Sequence, residues 1–291
     1  MILINERNEW LANKLVTADS DMMFAGVVAG NNPGQVWVDN EVDPRSAIVW
    51  SGGLGGFNFM GSASNVSFNP FLASFIDDEM IPFLQSKKID SFEFSVDSDD
   101  WYPAIYQFIG GRKIESYQLV YKSNLKEHEI PCINLSARYH TVEIDKTFAL
   151  ELVHGDIKNA DFLINYIELY WETIHNFLHM GYGYAALTAN NEIASIAISS
   201  FVFGSTHAVG VETLEAHRNQ GVSSSLVKLL LNRLHKNRIA AWWDCMEANI
   251  ASQKTAAKAG LNLSHRYKIN WFHISECMPA INPNIIAAKM H

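Results

Sequence analysis

The sequence has few cysteines, no long apolar run and no apolar N-terminal segment, and each shortage excludes a class of protein. Three cysteines in 291 residues, Cys132, Cys245 and Cys277, are too few and too scattered for a disulfide framework, and none belongs to a metal-binding pair. No stretch of about 18 apolar residues is present to cross a membrane. Charged residues stand at positions 6, 7 and 9, where a secretory signal would be apolar. We therefore expect a cytoplasmic protein with reduced thiols and no membrane partner.

Basic residues are also scarce. The chain has 22 Lys and Arg against 31 Asp and Glu, and its formal net charge is -9. Proteins that bind a nucleic-acid backbone normally present a basic face, so we expect no nucleic-acid partner. The acidic balance is compatible with an amine substrate, although it also serves solubility. His175 and His179 lie one helical turn apart without a carboxylate third ligand, so we expect no metal site.

The chain is rich in apolar residues, which make up 48% of it and include 8 Trp and 16 Phe. That content excludes disorder and provides for buried cores. Its length exceeds the usual size of one domain and favours two units.

Hydrophobic periodicity predicts the same order of elements in both halves. The second half shows a helix (156–179), three strands (182–189, 192–203, 207–214), a helix (222–235), a strand (239–245), a helix (250–259) and a strand (264–274). The first half shows three strands (35–39, 47–50, 57–61), a helix (69–87), a strand (91–96), a helix (100–109) and a strand (114–121). This order indicates an internal duplication.

We predict an α/β (α+β) fold of two tandem lobes, each a mixed, mostly antiparallel twisted sheet flanked by helices. The division is residues 1–135 and 136–291, with 122–154 as the connector. The glycine-rich run 52–56 lies between two predicted strands, not between a strand and a helix, and is interpreted as a hairpin loop.

The second half contains a turn typical of phosphate binding, between the strand that ends near Leu214 and the helix that begins near Val222. Free N-H groups at a helix start point to one spot, with the positive end of the helix dipole behind them. Gly221 allows close approach of a ligand, and Ser223 is small. The turn residues predicted to bind the cofactor are Arg218, Asn219, Gln220, Gly221, Val222, Ser223 and Ser224.

The pattern Arg218-x-x-Gly221-x-Ser223 resembles the Q/R-x-x-G-x-G/A signature of the GNAT N-acetyltransferases, with Ser in place of the last Gly or Ala. The segment Asn249-x-x-Ser252, followed by Ala256 and Lys-Ala-Gly-Leu, resembles a second motif of that family. The resemblance implies that acetyl-coenzyme A is the cosubstrate and that Asn249 and Ser252 lie along its pantetheine arm. Asn249 is equally suited to capping a helix.

The resemblance further implies that Val211, Glu212 and Thr213 offer main-chain hydrogen bonds to pantetheine where two strands splay apart. The first half has residues 65–70 where the second has its Arg- and Gly-bearing turn, so we expect one cofactor site, in the C-terminal lobe. The whole chain is similar to the two-lobed GNAT subgroup of zwittermicin A resistance, the ZmaR type, which does not identify an acceptor.

Three residues are candidates for the general base that an acceptor amine requires: Asp244, Glu212 and His207. Strand alternation places Glu212 and His207 on opposite faces unless a bulge intervenes.

The tyrosine that acts as general acid in the family falls at Ala256, so the acid is unassigned, with Tyr267, Tyr182 and Tyr184 as alternatives or with no acid at all. A covalent role for Cys245 is disfavoured because no basic neighbour lowers its pKa.

We therefore expect an acetyl-coenzyme A-dependent N-acetyltransferase that acts on a primary amine of a small molecule, an antibiotic among the candidates. The alternative is a non-catalytic acyl-coenzyme A-binding sensor, suggested by the missing tyrosine. Transfer from aminoacyl-tRNA is a third, disfavoured by the acidic charge. The acceptor and the oligomeric state are not encoded in these motifs.

Overall fold

A single mixed sheet runs through the computed structural model, which describes residues 1–109, 113–124 and 135–274. Its strands are β1 (Ile2–Ile4), β2 (Gly34–Val38), β3 (Ser46–Ser51), β4 (Phe57–Gly61), β5 (Ser91–Val96), β6 (Ile114–Lys122), β7 (Tyr139–Glu143), β8 (Gly183–Thr188), β9 (Ile193–Phe203), β10 (Thr206–Thr213), β11 (Ala240–Met246) and β12 (Asn262–His273).

Helices cover both faces of this sheet. They are α1 (Glu9–Leu15), α2 (Met22–Val28), α3 (Leu72–Phe75), α4 (Ile81–Ser86), α5 (Tyr102–Ile109), α6 (Lys146–His154), α7 (Ala160–Trp171), α8 (Ile174–Met180), α9 (Val222–Lys236) and α10 (Ile250–Lys258). Of the three cysteines, Cys132 and Cys277 lie outside the described residues.

The strand order is palindromic about the middle of the sheet. It reads β1-β2-β3-β4-β5-β12-β6-β11-β10-β9-β8-β7, and among these strands of the described residues the parallel neighbours are β4/β5 and β10/β11. Each half thus repeats the same arrangement about a pseudo-two-fold between β12 and β6. The predicted fold class, with mostly antiparallel pairing in two lobes, is confirmed.

The two halves exchange their last strands, which joins the two predicted sheets into one. Strand β6 of the first half pairs with β11, and β12 of the second half pairs with β5. The two exchanged strands also pair with each other, antiparallel. The division at residues 135 and 136 stays a prediction, since strands of both halves contribute to each side of the sheet.

Four apolar clusters fill the two faces. Along β6, Leu119 and Tyr121 pack in the cluster under α9 and α10, whereas Val120 packs in the cluster around α1 and α2. Along β12, Phe272 packs in the cluster under α3 to α5 and Tyr267 borders that of α2. Successive strand residues point to opposite faces, so α3 to α5, α9 and α10 share one face, here called the α9 face. Helices α1 and α2 lie on the other, the α2 face.

Several boundaries differ from the sequence expectation, each for a local reason. The helix expected over 156–179 is two helices, because Glu172 has a φ of 62° and Thr173 caps α8. The expected connector contains β7, an edge strand with three of five residues exposed, and α6, which is capped by Asp145. Helix α2 was missed because all seven of its residues are buried, which leaves no amphipathic period.

Candidate active site

The parallel strands β10 and β11 separate partway along their length. They pair only at Thr206 to Ala208, against Ala240 to Trp242. Beyond that point β10 continues to pair with β9, and β11 with β6. The remaining residues of both strands therefore border a V-shaped gap in the sheet.

Main-chain groups of β10 face this gap at alternate residues. The Leu214 N-H donates to the Ala194 carbonyl at 3.0 Å, so even-numbered residues turn their backbone groups to β9 and Val211 turns its own to the gap. The Glu212 carbonyl accepts from Ser195 Oγ at 3.0 Å, on the β9 side. The Thr213 N-H donates to Glu212 Oε1 at 3.2 Å, and its carbonyl accepts from Arg218 Nε at 3.1 Å.

The turn after β10 ends in left-handed backbone at two residues. Asn219 has a φ of 61° and Gly221, the N-cap of α9, has a φ of 74° with no side-chain cap. The first N-H groups of α9, at Val222 to Ser224, have no partner within the helix. A Cβ at Gly221 would meet nothing within 4 Å, so open space lies in front of these donors.

A groove of about 590 Å³ opens on the α9 face in front of this turn. The lining residues are Thr213, His217, Arg218, Asn219, Gly221, Val222, Ser223, Ser224, Ile250, Ala251, Lys254, Thr255 and Lys258. The structure thus brings together the predicted turn and α10. Gln220 is not among them, and its Oε1 accepts from the Tyr139 hydroxyl at 2.8 Å.

Two lysines of α10 were not assigned to this groove from the sequence. Lys254 and Lys258 lie one helical turn apart and both line the groove, which adds positive charge to the dipole of α9. Their i, i+4 spacing on a helix predicted next to the turn is the signal that points to them.

Asn249 caps α10, since its Oδ1 accepts from the Ser252 N-H at 3.1 Å. The capping interpretation of Asn249 is therefore correct, and its contact with pantetheine stays a prediction. Ser252 Oγ accepts from Trp243 Nε1 at 3.1 Å.

A cleft of about 400 Å³ lies on the other side of the gap and is shared by both halves of the chain. Val211, Asp244 and Ser252 border it from the second half. The first half contributes Met23, Phe24, Leu54, Gly56, Phe57, Glu93, Phe94, Ser95 and Gln118. Most of the remaining wall is aromatic or apolar, and burial raises the pKa of Glu93.

Asp244 reaches this cleft from β11 and shares a phenol with a second carboxyl group. Tyr267 Oη donates to Asp244 Oδ2 at 2.9 Å and lies 3.3 Å from Asp21 Oδ2. Burial, and then the charge of Asp21, raise the pKa of Asp244 well above its usual range. Burial likewise raises the pKa of Asp21 to about 6. Sequence reasoning missed Asp21, whose role in capping α2 becomes visible only once that helix is known.

Neither of the other two base candidates lines the cleft, but Glu212 lies close enough to add its charge to the burial that raises the pKa of Tyr170, a cleft residue. His207 is 4% exposed, its Nδ1 is 2.9 Å from Ser199 Oγ, and burial lowers its pKa to about 4. The register shift beside Ala208 adds a residue on β9, not on β10, so His207 and Glu212 remain on opposite faces. Glu212 is half-exposed and pairs with Arg218 at 3.4 Å.

One of the three tyrosines considered as general acid lines the cleft, and the alternative without a dedicated acid stays open. Ala256 is a fully buried core residue of α10. Tyr182 stacks on His207 with ring centroids 5.8 Å apart, and Tyr184 packs against the core under α9. Tyr267 lines the cleft. Cys245 lies beside Asp244, and burial raises the pKa of its thiol, which disfavours a thiolate nucleophile.

The equivalent turn of the first half is filled by side chains. Phe68 and Trp101 are buried with ring centroids 6.1 Å apart. Asn65 is also buried, and its Nδ2 donates to Asp39 Oδ2 at 2.7 Å. The negative charge of Asp39 at this place would repel an anionic ligand.

Residues 1–109, 113–124 and 135–274 contain no cluster of His, Cys, Asp and Glu able to hold a metal ion. Over the same ranges no helix has the length and apolarity to span a membrane.

Comparison with known proteins assigns this arrangement to a family. The model of the family described as GNAT acetyltransferase matches residues 13–270. The chain is 24% identical, over 81% of its length and 85% of the relative's, to the uncharacterized N-acetyltransferase YdfB of Bacillus subtilis (strain 168).

Solved structures show the same fold at low identity. A GCN5-related N-acetyltransferase-like protein from Streptococcus suis 89/1591 superposes with a TM-score of 0.55 at 16% identity, over 82% of this chain and 88% of the other. A tandem GNAT protein from the clavulanic acid biosynthesis pathway superposes with a TM-score of 0.54 at 10% identity, over 89% and 88%.

Proposed function

The chain belongs to the GNAT acetyltransferase family and is an acyltransferase, and on that premise we propose that it transfers the acetyl group of acetyl-coenzyme A to a primary amine of a small-molecule acceptor. The observation that carries this proposal is the gap between β10 and β11. It lies between a groove with unpartnered helix N-H groups and a cleft that holds a buried carboxyl group.

The groove residues fit the phosphates of the donor. The N-terminus of α9 supplies directed N-H groups and a positive dipole end, and Lys254 and Lys258 supply charge. Val211 turns its backbone to the gap, where the amides of pantetheine require partners. When bound, acetyl-coenzyme A supplies an activated thioester at the cleft end of the gap.

We propose one donor site per chain, in the second half. Asp39, Phe68 and Trp101 take the equivalent place in the first half, where they offer an anion neither space nor positive charge. The first half instead walls the acceptor cleft.

Asp244 acts as the general base in this proposal. The acceptor arrives as an ammonium ion and must lose a proton before its nitrogen attacks. A carboxylate whose pKa is raised by burial is a stronger base than an exposed one, and the positive charge of the bound ammonium favours its ionised form. Tyr267 Oη holds Asp244 Oδ2 in place, and it is one of three tyrosines, with Tyr166 and Tyr170, that bring a phenol proton to the cleft.

The likeness to the zwittermicin A resistance subgroup extends this proposal to antibiotics that carry a primary amine. The non-catalytic sensor is the second candidate, since the tyrosine of the family is replaced by Ala256. Both candidates bind the donor, and turnover separates them.

The test is thioester cleavage by the purified chain against a panel of amines, together with coenzyme A binding by calorimetry. Turnover that Asp244→Asn abolishes while coenzyme A binding persists supports the acetyltransferase. Binding without turnover for any amine would favour the sensor. Absence of coenzyme A binding would overturn both.

A further inference from the structure

A second cavity of about 340 Å³ adjoins the acceptor cleft on the first-half side of Tyr267. The two cavities share the side chains of Ser95 and Tyr267, which stand on the neighbouring strands β5 and β12. Ser95 and Tyr267 therefore form the boundary between the two cavities, and a ligand that extended from the acceptor cleft into the second cavity would pass them.

Two buried oxygen atoms in the second cavity lack a hydrogen-bond donor among the described residues. Asn58 is 1% exposed, its Nδ2 donates to Ser95 Oγ at 2.8 Å, and its Oδ1 has no partner there. Asp97 accepts from the Ser20 hydroxyl through Oδ2, and its carboxyl group is also influenced by hydrogen bonds from the Asp21 N-H and the Asn58 side chain, while its buried Oδ1 has no partner of good geometry among the described residues. A buried acceptor without a donor is costly, so both oxygens point to a ligand that donates hydrogen bonds.

The charged residues that line the cavity indicate that the hydrogen-bond donor of the ligand is a cation. Four carboxyl groups line it, those of Asp19, Asp21, Asp97 and Asp99. Burial, with a contribution from the charge of Asp21, raises the pKa of Asp97 to about 7. A cation beside Asp97 would offset that cost of ionisation.

The basic residues that also line the cavity are engaged by carboxylates outside it. Lys268 Nζ lies 3.7 Å from Glu115 Oε1, and Arg266 Nη2 lies 2.8 Å from Glu247 Oε2. Burial and the charge of Lys122 lower the pKa of His265, which favours its neutral form. Four carboxyl groups thus line the cavity against two charged basic side chains, each of which also has a carboxylate partner outside it.

Building on the proposed function, we propose that the acceptor carries two cationic groups, and that the group distal to the reacting amine binds in the second cavity beside Asp97 and Asn58. The reacting amine lies beside Asp244, and the acceptor passes the shared edge formed by Ser95 and Tyr267. Since the described residues offer no metal-binding cluster, the ligand class is an organic diamine or amino-guanidine.

Matched amines test this subsite. The wild-type chain is assayed with 1,4-diaminobutane and 1,8-diaminooctane, each against the monoamine of equal length. The distal ammonium gains charge-assisted hydrogen bonds in a buried site, so kcat/KM is expected to favour a diamine by roughly 10- to 100-fold.

Asp97→Asn keeps the shape of the side chain and removes its charge. We expect it to abolish the preference by raising KM for the diamine, with the monoamine rate unchanged. Asp43→Asn is the matched control, because Asp43 is an exposed carboxylate paired with Lys14 at 2.7 Å. Thermal unfolding of each variant checks that it folds.

Three results would overturn the subsite: equal use of monoamines and diamines by the wild type, an equal loss for both amines in Asp97→Asn, or a preference lost in Glu93→Gln and kept in Asp97→Asn. If no amine is turned over, the proposed function fails and the subsite is decided by calorimetry without acetyl-coenzyme A. Diamine binding that Asp97→Asn removes supports the subsite, and absence of diamine binding rejects it.

Discussion

Tyr267 donates a hydrogen bond to Asp244 across 2.9 Å and joins that carboxyl group, on a strand of the second half, to the N-cap of α2 in the first. The base candidate is therefore set in a site that both halves build. A second carboxyl group, that of Asp21, shares the phenol and repels a negative charge on Asp244. The chemistry of this pair leads to the first two predictions.

Asp244→Asn removes the proposed base without changing the size of the side chain. We expect kcat/KM to fall by about 10²- to 10⁴-fold, the usual contribution of general base catalysis, with coenzyme A affinity unchanged. Steady-state kinetics and calorimetry measure the two quantities. His207→Gln is the control, and full activity in Asp244→Asn with loss in His207→Gln would reverse the assignment.

Tyr267→Phe removes a hydrogen bond that lowers the pKa of Asp244. That pKa should therefore rise further above its usual range. Because the base works in its ionised form, the acidic limb of the kcat/KM profile should move to higher pH. The control Tyr121→Phe, on the α9 face, should leave the acidic limb of the kcat/KM profile at its wild-type pH. A shift to lower pH would contradict the role given to Tyr267.

Gly221→Ala should weaken coenzyme A binding, whereas Gly204→Ala should not. Both glycines have a positive φ, 74° and 55°, and both have open space where a Cβ would stand. The two substitutions share a backbone cost of about 1 to 2 kcal/mol, so thermal unfolding should respond alike. Calorimetric titration with coenzyme A separates them, and equal affinities would remove the turn from the donor site.

Lys254→Ala combined with Lys258→Ala should reduce coenzyme A affinity and make it less sensitive to salt. Exposed charges act through a screened field, which high ionic strength weakens. Binding of pantetheine, which lacks the nucleotide phosphates, should be unaffected. Lys146→Ala, an exposed lysine of α6, serves as control. An unchanged salt dependence would exclude the two lysines from phosphate binding.

Asp97→Asn should stabilise the chain, and more at pH 8 than at pH 5. Burial raises the folded-state pKa of Asp97 from its ordinary value of 3.8 to about 7, so ionisation costs stability as the pH rises through that range and the loss is complete above the folded pKa. The amide carries no such cost. Unfolding temperatures at the two pH values measure the effect, which Asp43→Asn should not show.

Local signals in the sequence predicted most of the elements and the turn before α9. The strand over 57–61 and the strand over 91–96 occur as predicted, and α9 begins at Val222. The Gly52 to Gly56 run is the loop between β3 and β4, as interpreted. These features depend on periodicity, capping and left-handed glycines, which act within a few residues.

Local sequence signals did not predict which residues meet at the acceptor cleft. Asp21, Asp97 and Tyr267 look like an isolated cap, a strand-end carboxylate and an aromatic core residue when considered singly. Their meeting depends on the insertion of β12 between β5 and β6, and no local pattern specifies which strand becomes the neighbour of another.

The sequence by itself indicated a turn at a helix start over Arg218 to Ser223, because Gly221 and its immediate neighbours separate a strand pattern from a helix pattern. The left-handed backbone of Asn219 and Gly221 was added by the structure. The tertiary structure alone decided that Asp244 faces Asp21 through Tyr267 and that His207 does not face the cleft. Strand order and register bring distant side chains to one point or to opposite faces, and they are set by the packing of the whole sheet.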